Sequence, residues 1–247
     1  MIIIKTPEEI EKMRKAARIL VYVMKKVEKL VQPGVTTKYL SEEAEKLILK
    51  LGAKPSFKNY NGFPAALCTC INEEVVHCPP SERKLKEGDI ITLDGGVWFD
   101  GFHSDMAITL PVGEISQEAQ RLIRVAKKAL KRGIKKVKPG RTFGDIGNTI
   151  QRYVEKQGYS IVRDLCGHGI GKELHEDPQI PNFGKRRSGP KIETGMVFCL
   201  EPIISAGDWR IKKTKDGFGY QTKDGSLSAH FEHMIAVTDK GVEVLTK

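Results

Sequence analysis

The chain carries one structural phrase twice, and that repetition limits what it can fold into. Val31, Pro33, Gly34 and Thr36 recur at a constant offset as Val137, Pro139, Gly140 and Thr142. Leu40, Ile48, Lys50 and Gly52 meet Ile146, Val154, Lys156 and Gly158 in the same frame. Further on, the strand-like run Gly88 to Asp94 parallels Gly195 to Glu201, each a glycine followed by mostly apolar residues and ended by a carboxylate. His103-Ser104-Asp105-Met106-Ala107-Ile108 likewise parallels His230-Phe231-Glu232-His233-Met234-Ile235. Each half thus offers helix, helix, carboxylate strand and second carboxylate strand in that order. This predicts an α+β protein of two halves related by a pseudo-twofold axis, with their sheets joined around a central site. The expected unit is a single domain over 1–247, with repeats at about 7–113 and 116–247.

Local signals support the helices. Thr6-Pro7-Glu8-Glu9 reads as a cap, with proline at the first helical position and glutamate at the third. From there Ile10, Met13, Ala17, Leu20, Met24, Val27 and Val31 recur at helical spacing until Pro33-Gly34. Leu40, Ala44, Leu47, Ile48 and Leu51 mark a second helix ending at Gly52. Ser116 opens the counterpart of the first, which carries Leu122, Ile123, Ala126, Ala129 and Leu130.

Composition excludes some classes. The longest apolar stretches are strand-length, so no membrane span is expected. The first residues reach Glu8 and Glu9 without an apolar leader core, and the five cysteines are odd in number and lack CxxC spacing. Together these point to a cytoplasmic protein with reduced thiols, and away from a disulfide frame or a thiolate zinc site. The net charge is +10, densest at Lys127, Lys128, Lys131, Arg132, Lys135, Lys136 and Lys138. That run reads first as a solvated helix face, and it is compatible with attraction to an anionic assembly such as a ribosome.

The chemistry lies in the paired acids. Asp100-Gly101 between Asp94 and Asp105 is a hairpin turn signal. With those two residues as the loop, Asp94 faces position 107 and Asp105 is its diagonal neighbour; a loop at Phe99-Asp100 sets the two aspartates directly opposite. Either register brings them within reach of one ion. Like charges so close need a cation or a proton between them, and Glu201 and Glu232 repeat the situation in the second half. Four converging carboxylates match the charge of two divalent cations, the composition of a two-metal site.

His168, in Cys166-Gly167-His168-Gly169-Ile170-Gly171, sits where glycine lets backbone come close to a site. His175 and His77 are further candidates. His103, His230 and His233 flank the carboxylates, and strand alternation is expected to turn immediate neighbours away. Imidazole and carboxylates without thiolate point to Mn, Fe, Co or Zn.

At these residues the chain resembles the type I methionine aminopeptidases of the pita-bread fold. The resemblance runs through Asn61-Gly62-Phe63-Pro64, Cys68 to Pro80, Asp94 to Asp105, the Cys166 to Gly171 turn, Glu201-Pro202 and Ser226 to His233. It implies antiparallel sheet inside and helices outside, and a single catalytic domain. It also implies five metal ligands: Asp105 and Glu232 bridging two ions, His168 and Glu201 completing one site, and Asp94 the other. The implied activity is hydrolytic removal of the initiator methionine from nascent polypeptides, by water that the metals activate. Glu201 is implied as proton shuttle, His175 as oxyanion stabiliser, and His77 as a contact near the scissile nitrogen. The implied methionine pocket is Tyr60, Phe63, Cys68, His77 and Phe218, with His175 also touching substrate. Expected partners are nascent N-termini, with transient ribosome association, no sequence-specific nucleic acid and a monomeric state.

The chain departs from the family at Cys78, where glycine commonly follows the histidine, at Phe218 in place of tryptophan, and at Leu174 in place of phenylalanine. These bear on pocket shape and leave every ligand in place. Two other readings stand beside this one. X-Pro aminopeptidases and prolidases share the fold and ligands but typically carry a large N-terminal domain, whereas only 1–93 precede Asp94 here. A non-catalytic basic protein binding RNA or ribosomes would be expected to have lost ligands.

Overall fold

The computed structural model describes all 247 residues. Four helices lie outside: α1 (Pro7–Glu28), α2 (Thr37–Lys50), α3 (Gln117–Ile134) and α4 (Phe143–Lys156). All strand pairs are antiparallel. In the first half the Ile90–Phe99 strand is central, with Phe102–Pro111 on one side and both Lys54–Pro55 and Leu67–Ile71 on the other. In the second half five strands run in the order Gly241–Val244, His233–Thr238, Val197–Leu200, Gly167–Gly169, Glu176–Ile180. Three-stranded sheets built on Ile203–Ser205 and Tyr220–Thr222 complete the fold.

The capping signals operate as read. Thr6 Oγ1 accepts from Glu9 N at 3.2 Å while Thr6 N donates to Glu9 Oε2 at 3.1 Å, and Ser116 caps α3 in the same position. The first helix stops earlier than its apolar spacing predicts. Leu30 N bonds Val27 O and Val31 N bonds Glu28 O, so the chain tightens into i to i−3 turns ahead of Pro33. Val31 is consequently only half-buried.

The turn after the first helix of each half is tied to its own sheet in the same way. Gly34 N donates to Leu85 O and Gly140 N to Ile192 O, while Thr36 bridges Lys84 and Thr142 bridges Lys191. Gly88 and Gly195, which open the two carboxylate strands, both stand at φ +90°, a conformation a side chain would strain.

Three large cores, with a small fourth at Val75, Val76, Val162 and Ile203, fill the space. One joins α1 and α2 to the first sheet through residues such as Leu20, Leu40, Ile91 and Leu93. Another joins α3 and α4 to the second through Leu122, Ile150, Phe198 and Ile235. A third spans both halves, bringing Met13, Phe57, Phe63 and Cys68 against Ile170, Leu174, Cys199 and Met234. Hydrogen bonds cross the same seam: Glu232 N donates to Ala107 O at 3.0 Å, and Thr109 Oγ1 accepts from His230 N at 2.9 Å and lies 2.8 Å from His230 O. No helix is long and apolar enough to cross a membrane.

Candidate metal centre

The hairpin turns at Asp100-Gly101, both at positive φ, with Phe99 opposite Phe102. Asp94 therefore pairs with Ala107 and Asp105 with Gly96, the diagonal register, on one face of the sheet. Leu200 pairs with His233, so Glu201 and Glu232 flank the open end of that strand pair. The two halves thus present their acids in different registers, diagonal in the first and facing in the second.

All four acids are nearly inaccessible, between 3% and 9% exposed. Their ligand atoms cluster: those of Asp94, Asp105 and Glu232 lie within 4.8 Å of one another. One oxygen each of Asp94, Asp105 and Glu232 has no hydrogen-bond partner. Burial pushes Asp94 up to about 7. Burial, followed by the neighbouring acids, raises Asp105, Glu201 and Glu232 well above the usual carboxylate range. No lysine or arginine lines the cavity. Buried acids without a basic partner are matched only by protons or cations, so this donor set fits two divalent ions.

His168 is presented by a strand that other backbone crowds from both sides. A Cβ on Gly167 would stand 2.3 Å from Cys199 O, and one on Gly169 would stand 2.1 Å from Asp177 O. Its Nδ1–H donates to Gly169 O at 2.9 Å, which leaves the Nε2 lone pair facing the acids. Nε2 lies 3.6 Å from Glu201 Oε1 and 3.9 Å from Asp105 Oδ2. Burial, then the nearby His175, pushes the ring down to about 3, so it is neutral and able to ligate. Cys199 also comes within 4.8 Å of His168 and Glu232, but burial and the adjacent acids hold it as a thiol.

The acids open into a cavity of about 210 Å³. Every pocket residue named from sequence lines it: Tyr60, Phe63, Cys68, His77, His175 and Phe218. Phe63 and Phe218 meet edge to face at 5.7 Å. Tyr60 Oη and His175 Nδ1 are hydrogen-bonded at 2.9 Å, and the His175 ring packs across His168 at 4.4 Å. His77 is held at φ +58°, and burial pushes it down to about 4.

Of the departures, Leu174 forms wall while Cys78 turns away, its thiol toward Val76 O and Tyr220 O. His103 and His233 leave the site to bond Ser56 and Thr246. His230 does not leave it. Contrary to the expectation from alternation, its ring lines the cavity, two positions from Glu232 and so on the same side. Phe57 and Val76 also belong to the wall.

Residues 11–239 match the model of metallopeptidase family M24. The methionine aminopeptidase of Clostridium perfringens is 48% identical over 246 residues, covering 100% of this chain and 99% of that protein. The crystal structure of methionine aminopeptidase from Thermotoga maritima superposes with a TM-score of 0.98 at 45% identity, covering 100% of both chains. The Xaa-Pro dipeptidase of Bacillus anthracis has a TM-score of 0.80 at 28% identity, and the match covers 99% of this chain but 62% of that one.

Proposed function

The chain belongs to metallopeptidase family M24, and from that premise we propose that it is a methionine aminopeptidase acting on the initiator methionine of new polypeptides. One observation carries the reading: four buried carboxylates meet in a cavity whose wall has no lysine or arginine and whose other end is aromatic and apolar. Two divalent ions (Co, Mn, Fe or Zn), held by Asp94, Asp105, His168, Glu201 and Glu232, would supply an acidified water and a polarised substrate carbonyl.

The chain's own side chains do the rest. Glu201 takes a proton from the attacking water and passes it to the leaving amine. With the Tyr60 hydroxyl donating to Nδ1, His175 keeps its hydrogen on Nε2 to meet the developing oxyanion. His77, neutral and fixed by its backbone, contacts the substrate beside the scissile nitrogen. Tyr60, Phe63, Cys68 and Phe218 take the methionine side chain, whose thioether suits polarisable aromatic and sulfur contacts. Cys68 pairs with Asp94 across the sheet, so this end adjoins the acid that would serve the free α-amine. An internal peptide bond offers no such amine, which restricts cleavage to the first residue.

The whole span 1–247 acts in this proposal as one catalytic domain, with repeats at about 7–113 and 116–247. It works as a cytoplasmic monomer on nascent N-termini without sequence-specific nucleic-acid contacts. Transient ribosome association is supported by a basic groove that draws Arg132 from α3 and Lys136 from just beyond it, Arg152 and Lys156 from α4, and Arg186 and Arg187 from the loop after the Glu176–Ile180 strand.

The test is metal-free protein titrated with Mn, Fe, Co and Zn on Met-Ala-Ser and Ala-Pro peptides. Methionine release that requires metal is the expected result. Cleavage of the Ala-Pro peptide alone would move the chain to the Xaa-Pro enzymes, whose Bacillus anthracis example extends well beyond the matched region.

A further inference from the structure

One polar side chain in the cavity wall has no task in the mechanism above. His230 ends the Ser228–His230 strand, and its side chain is 2% exposed. Its backbone is held at both polar atoms by Thr109, yet neither ring nitrogen has a hydrogen-bond partner. Its Nε2 lies 3.8 Å from Glu201 Oε2 and 3.9 Å from Glu232 Oε2. His168 stands on the other oxygen of the same glutamate, so each oxygen of Glu201 faces its own imidazole.

The two rings are set up differently. His168 commits its hydrogen to Gly169 O and turns a lone pair inward. Nothing accepts a hydrogen at His230 Nδ1, while two carboxylate oxygens stand before Nε2. A neutral imidazole has one N–H and one lone pair. Placing the hydrogen on Nε2 aims it at two carboxyl oxygens, the nearest acceptors to the ring. The alternative tautomer would bury an N–H with no acceptor, which is rare in folded proteins. The present separations exceed a hydrogen bond by about 1 Å, a distance that a small rotation of the glutamate side chain closes.

We propose that His230 is a positioning residue: its Nε2–H holds Glu201 and Glu232 by the oxygens that face it, fixing both for metal capture and Glu201 for proton transfer. The role rests on the metal centre proposed above. It adds to the five ligands a donor that restrains two of them, as partners of ligating groups commonly do.

The test compares wild type with His230→Gln and His230→Leu. Manganese binding to each metal-free protein is read by calorimetry, and kcat and KM are measured on Met-Ala-Ser. His230→Leu should bind manganese about 10–100-fold more weakly and lose kcat by a similar factor, with KM unchanged. His230→Gln, whose amide donates from nearly the same place, should recover most of both. In zinc-loaded wild type labelled with ¹⁵N, NMR should find the His230 hydrogen on Nε2 and Nδ1 bare.

Wild-type manganese affinity and kcat in His230→Leu would overturn the proposal. So would a His230→Gln no better than His230→Leu, or a His230 with bare Nε2, which would make it a ligand. The titration and the tautomer report on His230 even if peptide cleavage fails, and the tautomer and His230→Gln decide the matter if His230→Leu does not fold.

Discussion

Asp94, Asp105, Glu201 and Glu232 are each penalised by burial, and three are further raised by one another's charge. Without metal they retain protons that the unfolded chain would release near pH 4. A raised carboxyl pKa stabilises the fold at low pH and loses that contribution as pH rises through the folded value. Below about pH 6.5 the buried histidines oppose this trend, because the unfolded chain then protonates them. Above about pH 6.5 that opposition fades and the raised acids set the trend: Asp94 titrates at about 7, and Asp105, Glu201 and Glu232 are raised well above the usual carboxylate range. The metal-free protein should therefore melt lower at pH 8.5 than at pH 6.5, with manganese abolishing the difference; calorimetry with and without chelator checks it. Asp105→Asn removes one of the crowded charges. It should melt higher than wild type when both are metal-free at pH 8, while losing peptidase activity and manganese-induced stabilisation. His168 was legible because glycines flank it and the carboxylate strands frame it. His230 was not: it stands two positions from Glu232, but His103 stands at the same spacing from Asp105 and bonds Ser56 instead, so spacing alone does not tell the two apart.

Among the elements, the Gly167–Gly169 strand depends most on its sequence. It lies between the carbonyls of Cys199 and Asp177, and each flanking glycine sits where a methyl group would strike backbone. Gly169→Ala should displace the carbonyl that orients His168. The expected outcome is manganese affinity lower by about 10–100-fold, the usual cost of losing such a partner, with a reduced melting temperature; calorimetry and a thermal scan read both. The hairpin was legible from Asp100-Gly101, but its register stood between two alternatives until the structure placed both of those residues at positive φ in the turn. The helices were legible from caps and apolar spacing, apart from the last turn of α1, where i to i−3 bonding ends the helix at Glu28. Phe57 and Val76 carry no signal of their own. Their place in the wall comes from the packing of the first half onto the second, which spacing along one segment cannot express.

For the whole molecule, the seam between the halves builds the site. Thr109 donates its hydroxyl hydrogen to His230 O across the seam and accepts from His230 N and from the Thr92 hydroxyl. Thr109→Val would leave those buried groups unmatched, so chemical denaturation should report a loss of about 1–3 kcal/mol. Charge is a property of the same scale. Lys127, Lys128 and Lys131 lie on the solvated face of α3, whereas the groove between α3, α4 and the loop at Arg186 gathers cations from three segments. Co-sedimentation with ribosomes should weaken steeply with salt. A Lys136→Glu, Arg152→Glu double variant should reduce it while leaving kcat on a tripeptide unchanged. Catalysis by this chain depends on the cavity where the two halves bring their acids together. Anomalous diffraction from a manganese-soaked crystal tests that directly. Two peaks roughly 3.5–4 Å apart, enclosed by Asp94, Asp105, His168, Glu201 and Glu232, are expected, and a cavity without manganese, its carboxylates paired to other side chains, would contradict the account.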